Sequence, residues 1–155
     1  MDFAAANAAI AAAERLDIPT LELMVRVEAS GEAFYAALAD RVGNTEAAEL
    51  LRRNGREEMG HARRLQRVIA IRTGVPVDPE VEIERFPVEG IPETVDPAIL
   101  PLIVQGELDG DAGYQRWADE EEDPEVARLL RLNGREESTH AARIDQVIAL
   151  LADAG

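Results

Sequence analysis

The chain has 155 residues, 46% of them hydrophobic, which is enough for a single domain, residues 1–155, with a buried core. It contains no cysteine, so disulfides, zinc–thiolate sites and cysteine-ligated iron–sulfur centres are excluded. The formal charge is −15 and all 16 basic residues are arginines, so we expect no binding to nucleic acid or to an anionic membrane.

The first segment, residues 1–16, is rich in alanine and predicts a short N-terminal helix that packs on the rest of the domain or on a partner. It has neither a basic leader nor a strongly apolar centre, which a signal peptide would have. No apolar run in the chain approaches the roughly 20 residues needed to span a bilayer. We therefore expect a cytoplasmic protein.

An internal duplication organises the rest of the chain. When the sequence is shifted by 79 positions, residues 17–71 align with residues 96–150 without a gap, and 26 of the 55 aligned pairs are identical. More than two copies would be typical of a solenoid, whereas two copies are typical of one closed, pseudo-symmetric domain.

Each copy has the pattern of a helical hairpin, because apolar residues recur in it at helical spacing. The first hairpin covers residues 17–71 and the second covers residues 96–151. Asp17 and Asn44 precede the two helices of the first hairpin and are typical N-caps.

The connection between the hairpins, residues 72–95, is rich in proline and has no helical period. It is long enough to run the length of a helix. The sequence therefore predicts an all-α fold: an internally duplicated four-helix bundle with a long crossover between helices two and three, plus the short N-terminal helix.

The only two histidines of the chain occupy equivalent positions in the two copies. His61 follows Glu58 by three residues, and His140 follows Glu137 by three residues. Residues three apart share one face of a helix, so each pair can bind one ion.

A further pair of equivalent glutamates, Glu28 and Glu107, lies on the apolar faces of the partner helices. Glu28 and Glu58 are each 15 residues from Gly43, the turn of the first hairpin, so they should lie at one height in the bundle. In the second hairpin, Glu107 and Glu137 are each 15 residues from Glu122. Pairing the hairpins would bring four glutamates and two histidines together.

Four buried carboxylates would repel one another and lack hydration, whereas two divalent cations would neutralise them. Oxygen and imidazole ligands suit iron or manganese, and zinc is also compatible. The expected geometry is two metals about 3.5–4 Å apart, bridged by carboxylates. The candidate ligands are Glu28, Glu58, His61, Glu107, Glu137 and His140.

This arrangement resembles the ferritin-like di-iron carboxylate superfamily, and within it the rubrerythrins, over residues 17–150. The resemblance implies a ferritin-like bundle that binds two iron ions and reduces a small-molecule oxidant, hydrogen peroxide or dioxygen. It also implies that Tyr35 and Tyr114, each seven residues after a helix glutamate, are catalytic residues that hydrogen-bond to ligand carboxylates. An ordinary core position is the alternative for these tyrosines. A homodimer is the expected assembly.

Two features depart from the family pattern. Gly110 stands where rubrerythrins usually have a further glutamate, and Gly31 stands at the equivalent position. Glu32 and Asp111, one residue later, are either spare carboxylates or surface residues. The chain also lacks the cysteines of a rubredoxin domain, so the electrons must come from a separate donor protein or a small reductant.

Residues beside the ligands also repeat in both copies. We expect the amides of Asn54 and Asn133 to hydrogen-bond to the ligands. Gly55, unfavourable inside a helix, predicts a close helix crossing or a local bulge. Arg56 either neutralises Glu57 or pairs on the surface.

Three other functions remain open from the sequence. One is ferritin-like iron binding, with ferroxidase or storage activity. Another is a metal-stabilised interaction module, in which the metal serves only the fold. Hydroxylation of an organic substrate is the third.

Overall fold

The computed structural model describes residues 1–154, which contain five α-helices and no strand. The helices are α1 (Phe3–Ala12), α2 (Ile18–Arg41), α3 (Thr45–Thr73), α4 (Leu100–Glu120) and α5 (Pro124–Asp153). A 3₁₀ turn, Pro97–Ile99, leads into α4. The predicted all-α class is confirmed, and α1 is shorter than the predicted segment 1–16. None of the helices in the described residues is long and apolar enough to cross a membrane.

Side-chain caps determine where three of the long helices begin. Oδ1 of Asp17 accepts a hydrogen bond from Thr20 N at 2.9 Å, and Oδ1 of Asn44 accepts one from Ala47 N at 2.9 Å. Asp123 caps α5 in the same way. These bonds satisfy amides that have no carbonyl partner in the first helical turn. The sequence signals at these positions therefore mark the true helix starts.

The four long helices pack in a consistent order. α2 packs along α3, α4 packs along α5, and the two hairpins join through α3 and α5. In contrast, α2 and α4 do not pack extensively on each other within residues 1–154, and a cavity lies between them. The short helix α1 packs on α2 and borders this cavity.

The apolar core is divided into two clusters along the bundle axis. Leu21 and Leu38 of α2 belong to different clusters, and Glu28 lies between them in the helix. Leu51 and Leu65 are divided in the same way in α3. All four leucines are fully buried. The middle of the bundle is therefore a polar layer between two apolar layers.

The crossover, predicted at residues 72–95, runs from the end of α3 to the 3₁₀ turn and is anchored on α2. Phe86 is buried, and its backbone N–H donates to Oγ of Ser30 at 2.8 Å. The guanidinium of Arg26 lies 4.1 Å from the centre of the Phe86 ring, and the ring of Phe3 contacts its edge. The crossover therefore covers the outer side of α2 and leaves the space between α2 and α4 free.

Candidate metal centre

The six candidate ligands lie together in the middle of the bundle. α2 and α4 each contribute a glutamate, and α3 and α5 each contribute a glutamate and a histidine. They are Glu28, Glu58, His61, Glu107, Glu137 and His140. Both histidines are completely buried, and the glutamates of α3 and α5 are nearly so. The convergence expected from the duplicated spacing is therefore present.

These side chains form two overlapping groups of four, and each group could hold a metal ion. Within each group, one ligand atom per residue lies within 4.8 Å of the others. Glu58 and Glu137 belong to both groups, whereas Glu28 and His61 complete one and Glu107 and His140 complete the other.

Carboxylate oxygens surround Nδ1 of each histidine. Nδ1 of His61 is 3.5 Å from an oxygen of Glu28, of Glu58 and of Glu137. Nδ1 of His140 is 3.3 to 3.6 Å from oxygens of three carboxylates. These separations are long for hydrogen bonds, but they match donor atoms that each lie about 2.1 Å from one shared ion.

The two shared glutamates each face both histidines. Oε2 of Glu58 is 3.5 Å from Nδ1 of His61, and its Oε1 is 3.4 Å from Nδ1 of His140. Oε1 of Glu137 is likewise 3.5 Å from Nδ1 of His61, and its Oε2 is 3.3 Å from Nδ1 of His140. The imidazole rings are stacked, with centroids 5.2 Å apart. Each shared carboxylate can therefore bridge the two groups.

Three buried polar atoms of the cluster lack a hydrogen-bond partner in the described residues: Nδ1 of His61, Nδ1 of His140 and Oε2 of Glu137. Leaving such atoms unpaired in an interior costs about 1–3 kcal/mol each. A metal ion would satisfy them, and carboxylate oxygens with imidazole nitrogens are a donor set that suits first-row divalent metals. The residues therefore fit a metal ion.

In the absence of metal, the cluster retains protons. Burial, reinforced by the charge of Glu28, raises the pKa of Glu58 to about 7. Burial and the contact with Glu137 raise the pKa of Glu107 to about 8. Burial disfavours the charged form of His140, but its contacts with three carboxylates outweigh burial and raise its pKa to about 12. A metal ion that enters the cluster must therefore displace protons.

A further carboxylate contacts the outer nitrogen of each histidine. Nε2 of His61 is 3.0 Å from Oε2 of Glu136, and Nε2 of His140 is 3.2 Å from Oε2 of Glu57. In each case the glutamate comes from the opposite hairpin. Once a metal ion has displaced the proton on Nδ1, a proton on Nε2, shared with this carboxylate, would leave the lone pair of Nδ1 directed at the ligand cluster.

Two arginines hold these outer carboxylates in place. Arg143, which is buried, donates to both oxygens of Glu57, and Arg64 donates to both oxygens of Glu136. Burial disfavours the charge on Glu136, but its contacts with His61 and Arg64 outweigh burial and lower its pKa to about 2. Each histidine therefore faces a carboxylate that is ionised.

The sequence did not predict these arginines, and it left the partner of Glu57 open. Arg56, the neighbour of Glu57, pairs instead on the surface with Glu49 at 2.9 Å. Adjacent residues on a helix point in different directions, so Arg56 is poorly placed to bind Glu57. Arg53, one turn earlier in α3, lies 3.9 Å from Oε1 of Glu57, but the arginine that binds both oxygens is Arg143 of α5. One signal could have indicated the true partners: Arg64 and Arg143 are identical residues at equivalent positions of the duplication.

Asn54 and Asn133 also contact ligand residues, but through the backbone. Nδ2 of Asn54 donates to the carbonyl oxygen of His140 at 3.2 Å, and Nδ2 of Asn133 donates to that of His61 at 3.3 Å. The Oδ1 atom of each asparagine accepts from the arginine that binds the outer carboxylate. The asparagines thereby tie each histidine-bearing segment to the other hairpin.

The two tyrosines reach across the bundle to the unshared glutamates. The hydroxyl of Tyr35 donates to Oε1 of Glu107, and the hydroxyl of Tyr114 donates to Oε1 of Glu28. Burial, together with the nearby negative charges, raises the pKa of both tyrosines well above the usual value. The hydroxyls therefore keep their protons and donate hydrogen bonds to ligand carboxylates.

Neither of the candidate spare carboxylates lies in the cluster. Glu32 forms an ion pair with Arg85 at 2.8 Å. Asp111 accepts hydrogen bonds from Gln115, at 2.9 Å, and from Ser138. Both side chains are thus engaged with polar groups outside the cluster, and the candidate ligands are the six residues above.

Comparisons with protein-family models, with curated proteins and with solved structures find no match for the chain.

Proposed function

We propose that the protein is a di-iron oxidoreductase that reduces hydrogen peroxide, or dioxygen, to water, and that its fold is a duplicated ferritin-like bundle similar to that of the rubrerythrins. The observation that supports this most is the sharing of Glu58 and Glu137 between two buried ligand groups. Shared carboxylates of this kind suit a pair of metal ions held close together.

The charge of the cluster supports a pair of ions. Four carboxylates would carry four negative charges when all are ionised, and two divalent cations neutralise them. One ion would balance only two of the carboxylates, and the other two would either keep protons or remain as buried charges at a cost of several kcal/mol. Two bound ferrous ions would supply two electrons, which is the number that the reduction of one peroxide molecule requires.

The protein residues have distinct proposed roles in this reaction. Glu28 and Glu107 each complete one metal position, whereas Glu58 and Glu137 span both. Tyr35 and Tyr114 hold protons at their Oη atoms, next to ligand carboxylates. Reduction of hydrogen peroxide to two water molecules consumes two protons, and these hydroxyls are suitably placed to assist their delivery.

The electrons must be replaced after each turnover. The chain contains no cysteine for a second iron centre of the rubredoxin type, so we propose a separate electron-donor protein or a small reductant as partner. A homodimer that acts in the cytoplasm completes the proposal.

Iron handling is the second candidate function. It is favoured by the net charge of −15, which raises the local concentration of cations around the protein. Storage would in addition require a large shell of subunits. A metal-stabilised interaction module is a third candidate, in which metal would serve the fold alone.

One experiment separates these functions. The metal-free protein is loaded anaerobically with ferrous iron, the iron per chain is determined, and the oxidation rates with hydrogen peroxide and with dioxygen are compared. The proposal predicts about two irons per chain and faster oxidation by peroxide. Faster oxidation by dioxygen with mineral build-up would favour iron handling, and iron that restores folding but reacts with neither oxidant would favour the interaction module.

A further inference from the structure

A cavity of about 760 Å³ lies between α2 and α4 and ends at the metal-binding cluster. All four glutamates of the cluster line it. Its apolar walls are formed by Ile10, Met24, Val27, Phe34, Ile103 and Trp117. This volume lies within the range of about 300–1,000 Å³ that is usual for sites of small organic ligands. Hydrogen peroxide, hardly larger than a water molecule of about 30 Å³, would leave most of it unused.

The two halves of the protein differ at the wall of this cavity, although their ligand residues are identical. Gly106 of α4 stands at the position of Val27 in α2, and Gly113 stands at the position of Phe34. A Cβ atom at Gly106 would meet no atom within 4 Å, so the space beside it is open. A Cβ at Gly113 would lie 3.8 Å from the ring of Trp117, so it is the side chain missing at Gly106 that leaves open space next to the metal-binding cluster.

The rim of the cavity reaches the surface, since Gly106 and Asp109 line it and are exposed. Besides the four cluster glutamates, Asp109 adds a negative charge, and Arg116 is the sole cation among the described lining residues. In the metal-loaded protein two divalent cations would balance the four glutamates, and Arg116 offsets the charge of Asp109, so the lining would carry no net charge. The net charge of −15 on the whole chain repels an anion. The apolar walls disfavour a strongly hydrated cation. The cavity therefore suits an uncharged, mainly apolar molecule.

We propose that the oxidant reduced at this site is an organic hydroperoxide, with its alkyl or aryl group in the cavity and its –OOH group at the carboxylate cluster. This inference rests on the proposed function and names its substrate class. The O–O bond breaks, two electrons and two protons are taken up, and an alcohol and one water molecule are formed. The electron donor of the proposed function supplies the electrons. Hydroperoxide and alcohol are both uncharged, as the cavity requires.

Binding can be tested without turnover by using an alcohol product. The probe is 2-phenyl-2-propanol, the alcohol formed from cumene hydroperoxide, titrated into metal-free and zinc-loaded protein. Trp117 lines the cavity and is the only tryptophan of the chain, so its fluorescence reports on occupancy. The proposal predicts a saturable change in both forms. No saturable binding, or a dimer whose interface closes the cavity, would overturn it.

Substitution of Gly106 provides the matched test. Gly106→Leu places a side chain in the open space and should weaken binding of the alcohol about tenfold. Val27→Phe, which narrows the cavity from α2, should act in the same direction. The control is Gly60→Leu. Gly60, like Gly106, lies in a helix directly before a candidate ligand, and a Cβ there would meet no atom within 4 Å. Gly60 does not line the cavity, so this variant should bind the alcohol as the parent chain does. Equal binding by both leucine variants would overturn the assignment.

Turnover gives a second, separate measurement. The ratio of kcat/KM for cumene hydroperoxide to kcat/KM for hydrogen peroxide should fall about tenfold in Gly106→Leu and stay constant in Gly60→Leu. If hydrogen peroxide is reduced while cumene hydroperoxide is a poor substrate and the alcohol does not bind, the substrate class is wrong and the proposed function stands. If neither peroxide is reduced but the alcohol binds, the proposed function itself is wrong, and the substrate assignment falls with it.

Discussion

Glu136 of α5 lies 3.0 Å from Nε2 of His61 in α3, and Arg64 donates to both oxygens of that glutamate. The equivalent contact in the other half joins Glu57 to His140 at 3.2 Å. Because each outer carboxylate is held by an arginine, the orientation of each imidazole is fixed before any metal arrives. The two hairpins are therefore joined by the same contacts that direct Nδ1 at the ligand cluster.

The first prediction concerns these outer carboxylates. Glu57→Gln or Glu136→Gln should lower the affinity for Zn²⁺ by about 10–100-fold, because the imidazole loses the charge that orients it and raises its basicity. The measurement is competition with a chromophoric chelator. Glu49→Gln, which removes a surface partner of Arg56, is the control and should leave the affinity unchanged. Equal affinities in all three variants would show that the outer carboxylates do not support metal binding.

The second prediction concerns the tyrosines. Tyr35→Phe and Tyr114→Phe each remove a donor to a ligand carboxylate and leave every ligand in place. We expect the iron content per chain to persist and the rate of peroxide reduction to fall by about 10²-fold, which is typical of the loss of a proton-transfer group. Stopped-flow oxidation of the ferrous protein measures this rate. Unchanged rates would assign both tyrosines to the core alone.

The third prediction concerns the glycines of α3. A Cβ at Gly55 would lie 3.1 Å from Cβ of Tyr35 and 3.2 Å from the carbonyl oxygen of Glu32. Because one of these neighbours is backbone, Gly55→Ala should destabilise the protein by about 1–2 kcal/mol despite the better helix propensity of alanine. Gly60→Ala meets no atom within 4 Å and should instead stabilise it by up to about 1 kcal/mol. Urea unfolding of the two variants compares them; a stabilised Gly55→Ala would contradict a close helix crossing.

The fourth prediction concerns the pH dependence of the metal-free protein. In the folded state the pKa of Glu58 is raised to about 7, that of Glu107 to about 8 and that of His140 to about 12. The folded state therefore binds more protons than the unfolded state, and stability is lost as the pH rises. We expect the free energy of unfolding to decrease between pH 5 and pH 8 by at least about 1 kcal/mol. Urea unfolding at the two pH values measures this decrease.

Removing one of these groups controls for the general repulsion of an acidic protein. Glu107→Gln cannot lose a proton, so its stability should depend less steeply on pH between 5 and 8 than that of the parent chain. Bound metal replaces the protons and should reverse the trend, since its affinity rises with pH. A parent chain whose stability increases from pH 5 to pH 8 without metal would contradict the protonation of the cluster.

The sequence predicted the ligand cluster because helical spacing is a local pattern and because the duplication gives the second hairpin the same spacing as the first. The spacing of Glu58 and His61 places them on one face, and the equal distances of Glu28 and Glu58 from the turn place them at one height. The caps at Asp17 and Asn44 also depend only on residues close in the chain, since each accepts a hydrogen bond from the amide three residues later. All these relationships lie within one helix or one hairpin.

The sequence could not predict relationships that depend on how the hairpins pack. The contact between Glu57 and Arg143 joins α3 to α5, and no spacing along the chain encodes it. The cavity depends on the separation of α2 and α4, which is a property of the packed bundle. The open space beside Gly106 is therefore a feature of the packed helices, and no local sequence pattern encodes it.

Anomalous diffraction from crystals of the protein loaded anaerobically with ferrous iron tests whether the cluster binds a pair of metal ions. A di-iron centre would give two anomalous peaks per chain, about 3.5–4 Å apart, inside the bundle between Glu58 and Glu137. A single peak, or peaks only at surface carboxylates, would contradict it.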